Sequence, residues 1–182
     1  MLIREKEWMS QRISYYIATF ILASLVGWAV ETVYISARSG HWVDRGMMFL
    51  PFCPLYGTGA ILLLFILKTP RKGIANKVHY LISGTLFLAV LQFFAGYILK
   101  YLFHHPFWDF SQEPFNLLGL ISLESIAVWG ILSFIYMMLV QPLFEKFVYR
   151  LPKGVLNVSV AVISVAYLTD YCYHLVRLFT NQ

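Results

Sequence analysis

The sequence predicts an all-α, polytopic transmembrane helical bundle of about five spans with aromatic-rich external loops. Three observations lead there. Of 182 residues, 59% are hydrophobic and only 13% charged, with 18% aromatic and a mean hydropathy of +0.68; a soluble domain averages about 25% charged residues. Five apolar runs each approach the ~20 residues that a bilayer crossing requires. The basic residues gather at the ends of those runs, as topogenic charge does. The formal charge of +5 therefore reads as topology, and a nucleic-acid partner is excluded. Positions 1–182 form a single integral membrane domain on this reading, with the lipid bilayer as first partner.

The runs can be justified in order. Ile13–Ser36 follows a charged segment from Arg4 to Arg12 and is too long for a signal peptide, so it is a retained anchor. Met47–Leu67 begins with Pro51 and Pro54. Proline fits a first helical turn, but a short re-entrant segment before the span fits equally, with Gly57 and Gly59 permitting a discontinuous helix. Val78–Tyr101 is the third span. Leu117–Phe144 is over-long and should tilt, with Asn116 placed as its N-cap. Val155–Phe179 is the fifth. Ten Lys and Arg residues lie before the first run and in Lys68–Lys77 and Lys146–Lys153, against four (Arg38, Arg45, Lys100 and Arg177) on the other side. That asymmetry places the N-terminus in the cytoplasm of a multi-pass cell-membrane protein.

Function should be sought where polar groups interrupt the apolar runs. A charge in hydrocarbon costs roughly 2.5–3.5 kcal/mol even on a lenient scale. At 1.5 Å per residue, Glu31 lies roughly 7 Å, His174 roughly 9 Å, Glu124 roughly 12 Å, Gln92 roughly 13 Å and Asp170 roughly 15 Å below the same end of their spans. Asp170, His174 and Arg177 share one helical stripe, as do Ser24, Gly27 and Glu31, and Ala89, Gln92 and Gly96. Either these groups line a polar pocket, or they clamp helices together, for example Glu31 or Glu124 against His174 or Arg177. Arg45, in the first external loop, can pair with those carboxylates or with an anionic substrate. Trp42 and Trp108 suit an aromatic belt at the water interface.

Catalytic signatures are missing from the sequence. There is no G-x-S-x-G elbow, and Ser122 and Ser125 read as ordinary helix serines. A phosphate loop of the G-x-x-x-x-G-K-[ST] type is also missing, so an ATPase would be a separate subunit. Nothing calls for a cofactor. His104 and His105 with Asp109, or Asp170 with His174, have the donors for zinc but fall short of a metal motif. Cys53 and Cys172 are too few to define a disulfide framework. The small size points to a homo-oligomer. The polar residues admit an enzyme acting on a lipid or lipid-linked substrate, with Glu31 or Glu124 as base and Asp170–His174 as proton shuttle. They also admit a non-catalytic assembly factor or regulator.

A set of ordered motifs carries a resemblance. Gly27-Trp28-x-x-Glu31, Arg45-Gly46, Pro51-x-x-Pro54-x-Tyr56-Gly57, Trp108-Asp109-Phe110-Ser111-x-x-Pro114-Phe115-Asn116-x-x-Gly119 and Trp129-Gly130 resemble the bacterial family described as "putative ABC-transporter type IV". The resemblance implies a permease-like, multi-span transport component. It marks Glu31, Arg45, Tyr56, Trp108, Asp109 and Asn116 as site residues. Relatives tend to carry Glu at the position of Gln92 and Arg at that of Leu120. Loss of both would keep a paired site neutral, with Glu124 partly replacing the missing carboxylate.

Overall fold

The computed structural model describes residues 2–45, 48–66, 73–102, 104 and 106–180. Gly46, Met47, Leu67, Lys68 and His105, all named above, lie outside the described residues, as do the charges Arg71 and Lys72. Among the described residues the chain is helical, without a strand: α1 (Leu2–Ser39), α2 (Pro54–Ile66), α3 (Ile74–Tyr97), α4 (Leu123–Ile135), α5 (Gln141–Arg150) and α6 (Lys153–Thr180). Four helical rods are long and apolar enough to cross a membrane: Gln11–Ser39, Ile74–Tyr101, Leu123–Arg150 and Lys153–Arg177. They form two compact units, Met1–Ile61 with Leu143–Gln182, and Leu62–Pro142.

In the first unit α1 and α6 run in the same direction. Ser14 Oγ donates to Asn157 Oδ1 at 2.7 Å, and further along Phe20 meets the Tyr167 ring edge-on at 5.5 Å. Tyr15, Val148, Leu156 and Val160 make one buried cluster, and Met48, Phe52 and Tyr167 a second. α1 ends at Gly40, whose φ of 73° only glycine adopts without penalty; its N–H returns to Ser36 O at 3.0 Å.

From there the chain doubles back along α1. The Val43 N–H donates to Ser36 Oγ at 2.9 Å and the Arg45 N–H to Thr32 Oγ1 at 3.3 Å. Farther down, the Cys53 N–H reaches Ser24 O at 3.0 Å. Ser36 to Ser24 is about 18 Å of helix rise, and the described residues 41–45 and 48–53 that meet α1 over this length are not helical. This is why α2 is short. The sequence predicts a span over Met47–Leu67; the helix begins only at Pro54, which has no N–H and sits naturally in a first turn. A continuous helix from Met47 is thus not what the described residues form, since 48–53 are irregular.

In the second unit α3 packs on α4. Leu63, Tyr80, Leu88 and Met137 form its buried cluster, flanked by Phe87, Trp129 and Phe134. Gly130 admits Thr85, since a Cβ there would overlap the threonine side chain. The fourth helix starts at Leu123, later than the sequence predicts, and its cap is Ser122, not Asn116. Ser122 Oγ accepts from the Ser125 N–H at 3.1 Å while Ser125 Oγ accepts from the Ser122 N–H at 3.0 Å. These are no ordinary helix serines but a reciprocal capping box. Ser122→Ala should cost about 1 kcal/mol, read as a lower melting temperature in detergent. α4 passes through a π-turn, Tyr136–Val140, into α5. The wider turn lies just ahead of Pro142, which can donate no helical hydrogen bond.

Candidate functional site

Glu31, Arg45 and Tyr56 come together in the first unit. Arg45 Nε and Nη2 lie 3.1 and 3.0 Å from Glu31 Oε1. The Tyr56 hydroxyl donates to Glu31 Oε2 at 3.3 Å. Three pieces of local structure set this geometry. Thr32 pins the Arg45 backbone to α1, so the guanidinium falls beside the neighbouring Glu31. The opening turn of α2 presents Tyr56. Gly27, one turn below Glu31, leaves the space that the root of the Tyr56 side chain fills. Next to them, Trp28 Nε1 donates to Asp44 Oδ1 at 2.8 Å.

The electrostatics follow from partial burial. Glu31 and Arg45 side chains are 25% and 27% exposed, so the pair is neither dry nor fully solvated. The cation that neutralises Glu31 is Arg45 from the following loop, rather than His174 or Arg177 as the clamp alternative proposes; Arg177 instead lies over the Tyr173 ring at 5.9 Å. A double-mutant cycle with Glu31→Gln and Arg45→Gln should give a coupling of about 1–2 kcal/mol, measured by unfolding in mixed micelles. A coupling near zero would mean that water separates the two charges.

Asp170 is a different kind of site. Its side chain is buried, and Oδ1 and Oδ2 accept the Phe49 and Leu50 backbone N–H groups at 3.2 and 2.7 Å. His174 Nε2 approaches Oδ1 at 3.4 Å, an ion-pair distance without the alignment of a hydrogen bond. Its ring also packs on Phe49, with centroids 4.7 Å apart. Asp170 thus holds the segment before α2 from the α6 side, while Thr32 and Ser36 hold the preceding loop from α1. Buried non-helical backbone must find partners for its amides, and the carboxylate serves two consecutive ones.

The second unit contains the remaining predicted residues. Gln92 is buried in α3 and meets Ser125 Oγ at 3.5 Å. Glu124, expected deep in a span as a substitute carboxylate, is exposed in the first turn of α4, where the helix dipole favours an acid. Trp108 donates from Nε1 to Leu120 O at 2.9 Å and packs over Gly96, where a Cβ would come within 3.1 Å of the indole. It is a packed wedge, whereas Trp42 is 69% exposed, as a belt residue would be. Asn116 ties the loop: Nδ2 donates to Ser111 O and Glu113 O at 3.2 and 2.8 Å, and Oδ1 accepts from the Gly119 N–H at 3.1 Å. Asp109 Oδ1 accepts the Ser111 N–H at 2.9 Å; that bond, the Ser111 hydroxyl and Lys100 hold its carboxyl below the usual range.

Sequence reasoning missed Thr32, Ser36 and the Trp28–Asp44 bond. The available signal was the i, i+4 spacing of two hydroxyls at the end of an apolar run, which can receive the backbone of a returning chain. Among the described residues, no group of three or more His, Cys, Asp or Glu is placed to hold a metal ion, and Cys53 and Cys172 are unpaired.

Comparison with known proteins gives one assignment. No curated protein and no solved structure matches the chain. The model of one family matches residues 18–175, taking in Glu31, Arg45, Tyr56, the Asn116 loop and Asp170. By that match, this helical protein with four helices fit to cross a membrane belongs to the family described as "Putative ABC-transporter type IV".

Proposed function

We propose that the chain is the membrane-embedded component of a transport system in the bacterial cell membrane, with its N-terminus in the cytoplasm and its ATPase on a separate polypeptide. Its substrate would engage the polar cluster of Glu31, Arg45 and Tyr56. The observation that carries this reading is the approach to α2, irregular over 48–53 and helical only from Pro54. Transporters commonly place their sites where a crossing helix is broken, because the break frees polar groups at membrane depth.

The two loop amides that Asp170 accepts favour a structural role for it over the proton shuttle of the lipid-enzyme alternative. The test is affinity purification of the tagged chain from its native membrane. A nucleotide-binding subunit should copurify, and the complex should hydrolyse ATP. Arg45→Ala should leave that complex assembled but uncouple its ATPase from solute uptake in proteoliposomes. Recovery of the chain without any nucleotide-binding partner, or conversion of a lipid by the chain alone without ATP, would overturn the proposal.

A further inference from the structure

The loop between α3 and α4 has a construction that the transport reading does not use. Asn116 closes it by three hydrogen bonds, and Phe110 N–H to Gly119 O (2.9 Å) and Leu117 N–H to Ile121 O (2.9 Å) close it again. Within this knot two non-glycine residues, Phe115 (φ 54°) and Leu118 (φ 56°), adopt the left-handed conformation that bulky side chains avoid. The outcome of that strain is not burial. Phe115 is 85% exposed, and Leu117 and Leu118 are each more than half exposed. A loop that holds three large apolar side chains outward by polar bonds at its centre is built to present them.

Its surroundings indicate what they are presented to. Lys100 Nζ, at the end of α3, donates to Leu118 O at 3.0 Å and lies over the Tyr101 ring at 5.6 Å. A lysine and tyrosine at the end of an apolar rod mark the depth of the headgroups. Tyr97, Ile98 and Tyr101 at the end of the Ile74–Tyr101 rod and Leu123 on α4 are also exposed, so the apolar surface of the rods continues onto the loop. The loop's acids, Asp109 and Glu113, make it a poor fit for anionic headgroups.

We propose that this loop is an interfacial wedge, seating Phe115, Leu117 and Leu118 at the boundary of headgroups and acyl chains of zwitterionic lipid. It fixes the height of the α3–α4 end in the bilayer. The experiment places a nitroxide at Phe115→Cys, and separately at the exposed control Gln112→Cys, in a chain carrying Cys53→Ala and Cys172→Ala. The protein is reconstituted in phosphatidylcholine vesicles with and without phosphatidylglycerol. The ratio of collisions with oxygen to those with a water-soluble nickel chelate should be severalfold higher at 115 than at 112, and indifferent to phosphatidylglycerol. Adding Asn116→Ala should abolish the difference.

A water-like ratio at 115 would overturn the wedge. Shielding from both reagents would overturn it in favour of a protein contact, either a second copy or another subunit. Should removal of the cysteines unfold the chain, Phe115→Trp in the otherwise unaltered protein gives the same answer. Lipids brominated near the headgroup should then quench more of its fluorescence than they do in the parent protein, and no added quenching would sink the idea.

Discussion

Asp170→Ala is expected to destabilise the protein by about 3–5 kcal/mol, a large part of the stability of a typical domain. The carboxylate accepts two consecutive backbone N–H groups from a segment that has no helix to satisfy them. Alanine would strand both donors at membrane depth, where each unsatisfied group costs several kcal/mol unless water enters. It would also leave His174 without its neighbour. Asp170→Asn should fall between: its single carbonyl can keep one amide, but its NH2 faces the other. The measurement is unfolding in mixed micelles for the parent, the Asn and the Ala proteins. A loss below about 1 kcal/mol for alanine would mean that solvent already serves those amides. His174→Ala should cost less than Asp170→Ala, because the amide bonds survive it.

Gly27→Ala should have the second-largest effect, and for a steric reason. The added Cβ would overlap Tyr56 at its Cβ and Cγ, the root of the side chain and not a tip that can swing aside. α1 and α2 must separate. Over-packing of this kind costs about 1–3 kcal/mol or more, and here separation also draws the Tyr56 hydroxyl away from Glu31. Gly57→Ala should act similarly, since its Cβ would strike Ser24 Oγ and the Phe20 carbonyl. The two glycines serve one contact, so their effects should be strongly non-additive. Gly154 is the control. It lies in α6 with open space around it, and alanine there should be neutral or add a few tenths of a kcal/mol. Equal losses at Gly27 and Gly154 would refute the steric account. If transport depends on the Glu31 cluster, Gly27→Ala should also lower uptake by more than the fall in folded protein.

Much of the site was legible in advance, but in the wrong combinations. The cost of a buried charge singled out Glu31, Asp170 and His174, and motif order added Arg45 and Tyr56. Pairing was legible only in part: Arg45 could be expected to meet a carboxylate or an anionic substrate, but not Glu31 in particular. Periodicity suggested that Glu31 faced a cation on another span, while its actual partner, Arg45, is only a short loop away, brought there because Thr32 captures the backbone. Asn116 was recognised as a structural residue but given the role that Ser122 performs; the left-handed Leu118 and Gly119 intervene, and a regular helix cannot run through them. Glu124 moved with that boundary, from presumed mid-membrane acid to exposed first-turn residue.

By itself the sequence determined the membrane class, the positions of the long apolar helices and the short set of polar residues worth attention. Each follows from free energies that depend on one residue and its depth: transfer to hydrocarbon, helix periodicity and charge at an interface. Tertiary structure decided what those residues do. Whether a buried carboxylate meets a guanidinium, as Glu31 does, or two backbone amides, as Asp170 does, depends on where a returning loop lies. That path was fixed by hydroxyls on α1, a glycine gap opposite Tyr56 and a proline that delays α2. Such contacts are pairwise and short-ranged, so they exist only once the chain has folded back upon itself.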